Sequence, residues 1–132
     1  LLDAWFRERV EHFVPQDSPV EWKSTTKTLL HQCKAHPKTI YHVFDSLSRD
    51  YLERYIFSLT DDAFTKAVQQ AAAGHTLSED RLRSIASFCR YAYIGFVMQF
   101  FWNHMENDID ESVDRLGVLF DIFLTTAVQV TD

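Results

Sequence analysis

The most constraining feature of the chain is its most apolar segment, which runs from Tyr91 to Trp102 with the sequence YAYIGFVMQFFW. An amphipathic helix with one buried face needs only a stripe of apolar residues, whereas this segment is apolar nearly all round. At least two of its faces must be covered, one by the rest of the chain and the other most simply by a second copy. Because glycine costs about 1 kcal/mol relative to alanine inside a helix, we expect the central Gly95 to allow another helix to come close.

The composition of the whole chain indicates a single all-α domain over residues 1–132. An apolar content of 46% with 11 phenylalanines excludes a disordered chain and provides for a real core. Glycine and proline number three each, which is too few for a turn-rich β protein. We find no internal repeat, low-complexity tract or linker.

The charge balance and the apolar runs argue against nucleic-acid and membrane contacts by this chain. Thirteen basic against 19 acidic residues give a net charge of -6, the wrong sign for a phosphate-binding surface. Gln99 and Asp121 interrupt the two longest apolar runs, so neither reaches the roughly 18 residues of a membrane span. We expect a cytoplasmic protein without membrane contact, in which Cys33 and Cys89 are buried free thiols.

Apolar residues at helical spacing predict about six helices, of which three lie in the N-terminal third of the chain. The first covers residues 1–14. The second follows a capping box in which Ser18 is the N-cap and Glu21 closes the box. Pro37 ends this helix and opens a short third one.

The remaining helices are longer. One runs from about Asp50 to Ala73 and ends at Gly74, which can take a left-handed conformation; Thr60 offers an alternative cap, so a kink there is the competing prediction. Ser78 and Asp108 are the expected N-caps of the last two helices. A short loop joins these two, which makes them antiparallel neighbours, and two copies of the pair would form a four-helix bundle.

The sequence shows little sign of catalytic or metal-binding chemistry. Its six histidines are scattered, and none has the spacing of a helical metal site. His104, Glu106 and Asp108 could chelate a cation at a turn, but a solvated polar turn is the commoner structure for such a group. No phosphate-binding loop or nucleophile elbow is present. We therefore expect neither an enzyme nor a bound metal or cofactor.

The C-terminal half of the chain resembles that of the tetracycline-repressor-like (TetR) transcriptional regulators. In that family an aromatic residue, a glycine and, seven residues on, a tryptophan recur in the penultimate helix, and Gly95 and Trp102 stand at that spacing within the run that begins at Tyr91. An acid-rich turn and a final apolar helix follow, as in the family. The His36-Pro37 turn also resembles the family's turn between two short helices of the ligand domain.

The resemblance implies a regulatory domain that senses a small molecule and holds a homodimer. Family members begin with a helix-turn-helix domain that binds DNA, and no such three-helix unit can be drawn in this sequence. Residues 1–14 resemble the helix that connects that domain to the ligand domain, so we expect DNA contact only through a missing N-terminal domain. In the whole repressor, the ligand would alter the spacing of two DNA-reading helices.

The resemblance and the apolar faces together indicate two sites. A small, mostly apolar or aromatic effector is expected among the middle helices, in a pocket lined by Trp22, Thr26, Leu30, Cys33, Phe44, Tyr55, Phe88, Cys89 and Tyr93. The homodimer is expected to cover apolar surface that a monomer would expose, at Ile94, Gly95, Val97, Met98, Phe101, Trp102, Met105, Leu116, Gly117, Phe120, Leu124 and Ala127. The competing hypothesis is a structural dimerisation module whose aromatic residues fill the core and bind no ligand.

Overall fold

The computed structural model describes Glu8 and residues 22–129, apart from the side chain of Leu59. The expected helix over residues 1–14, in which Glu8 is helical, and the capping box at Ser18 otherwise lie outside the described residues. The predicted all-α fold class is confirmed. The helices between residues 22 and 129 are α1 (Trp22–Ala35), α2 (Pro37–Ser46), α3 (Arg49–Ala71), α4 (Glu79–Trp102) and α5 (Ile109–Ala127).

Capping residues determine where these helices begin. Pro37 lies in the first turn of α2, where a missing N–H costs nothing. Ser48, Ser78 and Asp108 precede α3, α4 and α5, and the side chain of each accepts a hydrogen bond from the backbone N–H three residues on. Each bond satisfies an amide that the helix itself leaves unpaired. The predicted caps at Ser78 and Asp108 are thus confirmed.

The long helix α3 is continuous, so the alternative of a second helix capped at Thr60 is wrong. The Thr60 hydroxyl donates a hydrogen bond to the carbonyl oxygen of Ile56 at 2.9 Å, within the helix, instead of capping a new one. Gly74 follows with a φ of +85°, the left-handed conformation predicted for it. At the end of α4, His104 and Met105 also have positive φ values, 57° and 59°, and they turn the chain into α5.

α3 and α4 lie side by side in antiparallel orientation. The guanidinium of Arg49, at the start of α3, lies 4.9 Å from the ring centroid of Trp102 at the end of α4. Farther along the pair, Asp61 of α3 forms an ion pair with Arg90 of α4. The N-terminal half of one helix therefore contacts the C-terminal half of the other.

α1 lies antiparallel to α5 in the same way. The ring of Trp22, at the start of α1, is 5.3 Å from that of Phe120 near the end of α5. Near the end of α1, a nitrogen of His31 is 3.0 Å from a carboxylate oxygen of Asp110, in the first turn of α5.

The last two helices are antiparallel, as predicted. Phe88 near the start of α4 stacks on Phe123 near the end of α5, with 4.6 Å between the ring centroids. The short helix α2 packs at the other end, where the Tyr41 hydroxyl donates a hydrogen bond to the carbonyl oxygen of Phe101 at 3.2 Å.

The core lies between these helices, with Cys89 of α4 and Val113 of α5 fully buried in it. At Gly117 of α5, a Cβ would lie 2.8 Å from the Cδ atom of the Lys23 side chain, so α1 passes close to α5 at this point. One copy of the chain thus already encloses the inner sides of both C-terminal helices.

Candidate functional site

Four helices meet at a group of side chains that we call the inner cluster: Trp22, Thr26, Phe64, Tyr93 and Phe120. The Trp22 ring lies edge-on to the rings of Tyr93 and Phe120, with centroid distances of 6.1 and 5.3 Å. The Phe64 ring meets the same two rings edge-on, at 5.4 and 5.6 Å. Edge-to-face pairs contribute about 0.5–1.5 kcal/mol each beyond the area they bury. The four rings therefore pack as one unit.

The two hydroxyl groups of the inner cluster pair with each other. The hydroxyl oxygens of Thr26 and Tyr93 are 2.6 Å apart, and both residues are buried. Burial raises the pKa of the Tyr93 phenol, and its hydrogen bond to Thr26 opposes part of that rise. Tyr93 is therefore a neutral phenol at physiological pH.

Three further residues predicted to line the pocket belong to the same core. Leu30 and Cys89 are buried in it, and Cys33 packs against it while partly buried. Both cysteines are free thiols, as predicted. Burial raises the pKa of the Cys33 thiol to about 12 and that of Cys89 to about 11. Neutral thiols are poor nucleophiles, so these two side chains offer contact surface rather than covalent chemistry.

Two other predicted lining residues lie away from the inner cluster. Phe44 of α2 packs on Phe101, with 4.5 Å between the ring centroids, at the end of the core that α2 closes. Tyr55 is partly buried on α3, more than two turns before Phe64. Phe44 nevertheless packs against the same core as Trp22 and Tyr93.

Phe88 was predicted to point inward, and this prediction is wrong. The side chain is 57% exposed, with one ring face on Phe123. Ile85 and Cys89 take the inward positions on α4, and position 88 is rotated about 100° from position 89.

Phe64 and Phe120 complete the inner cluster, although neither was assigned to the pocket from the sequence. On α3, Phe64 and Val68 are buried, whereas Ala63 and Ala67 are only partly buried. Phe64 is the largest apolar side chain in the second half of α3. Its size is the sequence feature that could have identified it as buried.

A second feature is an exposed apolar surface on the last two helices, which we call the outer face. On α4 its residues share one side of the helix with Gly95, at spacings of three, four and seven. Because an aromatic side chain has about 150–250 Å² of surface, the outer face exposes on the order of 700 Å². The outer face consists of Phe88, Tyr91 and Trp102 of α4 with Val118, Leu119 and Ile122 of α5.

Most residues predicted for the dimer interface lie in the core of a single copy instead. The reason given for them, exposure in a monomer, is wrong because α1 and α3 already cover the inner sides of α4 and α5. Gly95 and Trp102 are exposed, and Leu116 and Leu124 are partly buried. The buried ones are Ile94, Val97, Met98, Phe101, Met105, Gly117, Phe120 and Ala127.

A groove of about 380 Å³ opens between α3 and α4 beside the outer face. Ile94 and Met98 are buried and yet line the groove, so they form its base, together with Gly95. Tyr91 and Trp102 of the outer face stand along it. The groove therefore shares two side chains of α4 with the outer face.

Among residues 22–129, no three His, Cys, Asp or Glu side chains come together in a way that would hold a metal ion. In the same range, every helix is too short or too polar to cross a membrane.

Comparison with protein families gives a match over most of the chain. A TetR-type family model described as "Transcriptional regulator C-terminal region" matches residues 20–121, well over half of the 132 residues. No curated protein and no solved structure gives a significant match. The matched range includes the inner cluster and most of the outer face.

Proposed function

Because the chain belongs to the TetR family of transcriptional regulators, as a C-terminal region, we propose that it is the ligand-sensing and homodimerisation domain of a repressor. A small, mostly apolar effector binds inside the domain and controls DNA binding by the helix-turn-helix domain that regulators of this family carry. The observation that carries the proposal is the outer face on α4 and α5. It supplies the surface that a dimer of this kind requires.

The outer face has the size and the chemistry of a self-association surface. Its exposed area, on the order of 700 Å², approaches the roughly 800 Å² that each partner buries in a standard interface. Its six large side chains are apolar, and the exposed Asp121 lies beside Val118 and Ile122 on α5. Two copies with a net charge of -6 each repel, so they associate most readily through an uncharged surface. A two-fold contact would cover the outer face of both copies at once.

The inner cluster sets the chemical class of the effector. Its rings supply contact and stacking surface, while the hydroxyls of Thr26 and Tyr93 can orient a few polar atoms. The cluster contains no charged side chain, so a compact multivalent anion would be buried without a partner at a cost of several kcal/mol. The effector we propose is therefore apolar or aromatic, with one or two hydrogen-bonding groups.

Binding at the inner cluster would act on the dimer through the helices that form it. Phe64 belongs to α3 and Phe120 to α5, and each helix also carries residues of the groove or the outer face. An effector that moves these rings would favour one arrangement of the two copies over another. Allosteric regulators usually require a difference of about 1–3 kcal/mol between the two arrangements.

A second candidate function is a dimerisation module with a filled core and no effector. The packing of the inner cluster favours it, because Trp22 already contacts three rings and the Thr26 and Tyr93 hydroxyls already satisfy each other. The two candidates share the dimer and differ only in whether the inner cluster opens to a ligand.

A thermal-shift screen separates the two candidates. Apolar and aromatic metabolites are compared with sugar phosphates and nucleotides, and the proposal predicts stabilisation by the first group only. The Tyr93→Phe variant keeps the ring and removes one hydroxyl, so it should reduce the shift given by a ligand that hydrogen-bonds there. Stabilisation by phosphorylated compounds alone would contradict the proposed effector class. A screen without any stabilising compound would favour the filled-core module.

A further inference from the structure

The groove between α3 and α4 has aromatic side chains along it and an open base. The ring centroid of Tyr91 lies 6.2 Å from that of Phe57, and the Trp102 ring lies 4.9 Å from the Arg49 guanidinium, so both α4 rings contact α3. Between them on α4, a Cβ at Gly95 would meet no atom within 4 Å. The groove volume of about 380 Å³ falls within the range of roughly 300–1,000 Å³ that is typical of sites for small organic molecules.

The base of the groove favours a flat aromatic ligand. Gly95 has no side chain, so the helix backbone is open there, and the buried Ile94 and Met98 line the groove beside it. A thioether such as that of Met98 makes favourable contacts with aromatic rings. A planar ring can lie on such a base and stack against the two aromatic walls, Tyr91 and Trp102.

Two arginines on the α3 side of the groove have hydrogen-bond donors to spare. The Nε atom of Arg49 is 2.8 Å from a carboxylate oxygen of Glu53, and that of Arg54 is 3.1 Å from one of Asp50. The hydrogen bonds that join these two arginines to other described residues use Nε alone. A guanidinium carries five N–H groups, so the two terminal nitrogens of each arginine have no partner among the described residues. Paired N–H groups of this kind bind a carboxylate with both of its oxygens.

An anionic group suits these arginines better than a cationic group suits the aromatic walls. The Arg49 guanidinium already covers the ring of Trp102, which is the best cation-binding side chain of the groove. A ligand cation would have to displace Arg49 and would be repelled by Arg54, whereas a carboxylate would bind both without displacing either. Arg90, at the end of the groove beyond Phe57, is already paired with Asp61. Because the whole chain has a net charge of -6, the attraction for an anion has to come from the two arginines themselves.

We propose that the groove is a binding site for an aromatic monocarboxylate. The aromatic ring of the ligand lies on the base at Gly95, between Tyr91 and Trp102, and its carboxylate is bound by the terminal nitrogens of Arg49 and Arg54. The inference goes beyond the proposed function, because this site lies outside the inner cluster and requires neither the effector nor a second copy.

An NMR titration with trans-cinnamate, a planar aromatic carboxylate, tests the site. The chain has three tryptophans, and the variants Trp22→Phe and Trp102→Phe assign the indole N–H signals of these two. Cinnamate should shift the Trp102 signal in a saturable way and leave that of Trp22, in the inner cluster, in place. A titration in which the Trp102 signal does not move would overturn the groove site, including one in which only the Trp22 signal moves.

Two analogues of the probe test the charge of the ligand. Cinnamyl alcohol keeps the planar ring without a charge, and cinnamylamine carries a positive charge at neutral pH. Cinnamate should bind at least about tenfold more tightly than either, because charge-assisted hydrogen bonds to a guanidinium are stronger than those of a neutral hydroxyl. Equal or tighter binding of the alcohol or the amine would overturn the assignment of a carboxylate.

Substitution of the two arginines tests where the carboxylate binds. Arg49→Gln and Arg54→Gln together should weaken cinnamate binding at least about tenfold and leave the affinity for cinnamyl alcohol nearly unchanged. The matched control combines Arg83→Gln with Arg115→Gln, which removes the same charge from exposed arginines that also pair with an acid one turn away. Equal weakening in the two double variants would show that only the overall charge matters, and it would overturn the site.

A substitution at Gly95 tests where the ring of the ligand lies. Gly95→Leu fills the base of the groove, and its Cβ meets no atom of the chain, so the thermal unfolding temperature should stay the same or rise. Binding of cinnamate should be lost, because the leucine side chain takes the place of the ring. Gln69→Leu, at an exposed position on α3 beyond the groove, is the matched control and should bind cinnamate as the original chain does. Unchanged binding by Gly95→Leu would overturn the site.

Discussion

The hydroxyl oxygen of Thr26 on α1 lies 2.6 Å from that of Tyr93 on α4, and the two residues are 2% and 7% exposed. A buried hydroxyl left without a partner costs about 1–3 kcal/mol. The pair therefore holds α1 at one position along α4. It also fixes the polar centre of the inner cluster, where an effector would find its hydrogen-bonding groups.

A double-mutant cycle measures this pair. Thr26→Val and Tyr93→Phe should each lower the free energy of unfolding by about 1–3 kcal/mol, because each strands the other hydroxyl. The double variant strands neither, so its loss should be smaller than the two losses added together. Urea unfolding measures all three values. Thr125→Val, at an exposed position on α5, should change stability by less than about 0.5 kcal/mol. Strict additivity would contradict the pairing.

The buried thiol of Cys89 predicts a loss of stability at alkaline pH. Burial raises its pKa from 9.0 to about 11 in the folded chain, so the folded state holds the proton more tightly than the unfolded state. The stabilisation is complete below pH 9 and is lost as the pH rises through about 11, at a slope approaching 1.4 kcal/mol per pH unit.

Urea unfolding of the chain and of Cys89→Ala across this pH range tests the thiol prediction. The variant should start from a lower stability and then lose less of it as the pH rises. If the free energy of unfolding falls with pH at the same slope in both proteins, the thiol is accessible to water in the folded chain.

The ion pair between Asp61 of α3 and Arg90 of α4 should contribute more to the free energy of unfolding than the neighbouring pair within α3, which joins Asp62 and Lys66. The Arg90 side chain is 8% exposed and lies 3.9 Å from the Phe57 ring centroid, so Asp61→Ala leaves a buried charge without its carboxylate. Because Asp61 is largely exposed, we expect a loss of about 1–2 kcal/mol, below the 3–5 kcal/mol of a fully buried pair.

The control for this pair is Asp62→Ala, which removes an exposed partner of Lys66 at 2.9 Å. Exposed pairs contribute about 0–1 kcal/mol, so the free energy of unfolding of this variant should be close to that of the original chain. Similar losses for the two alanine variants would mean that Arg90 is better hydrated than its burial indicates.

Helix ends could be predicted from the sequence because they depend on local chemistry. Ser78 and Asp108 cap the two C-terminal helices as expected, since each side chain needs only the backbone three residues on. Gly74 takes the left-handed conformation expected beyond the end of α3. These features involve no contact that is distant in sequence.

The faces of α4 and α5 could not be predicted in the same way. Both helices are apolar over more than one side, so their periodicity does not say which stripe meets the rest of the chain. That choice depends on where α1 and α3 pack: Phe120 is taken into the inner cluster by Trp22 and Phe64, while Phe88 is left outside. From the sequence, Phe120 was therefore assigned to the interface and Phe88 to the pocket, whereas Phe120 lies in the inner cluster and Phe88 on the outer face.

Sedimentation velocity at micromolar concentration tests the central claim, that the outer face makes this chain a homodimer. The chain should sediment with twice its mass of 15.5 kDa. Ile122→Glu, which places a charge in the outer face of both copies, should sediment as a folded monomer, whereas Gln69→Glu on the exposed side of α3 should remain dimeric. A monomeric original chain, or an Ile122→Glu variant that still dimerises as tightly as the original, would contradict the account.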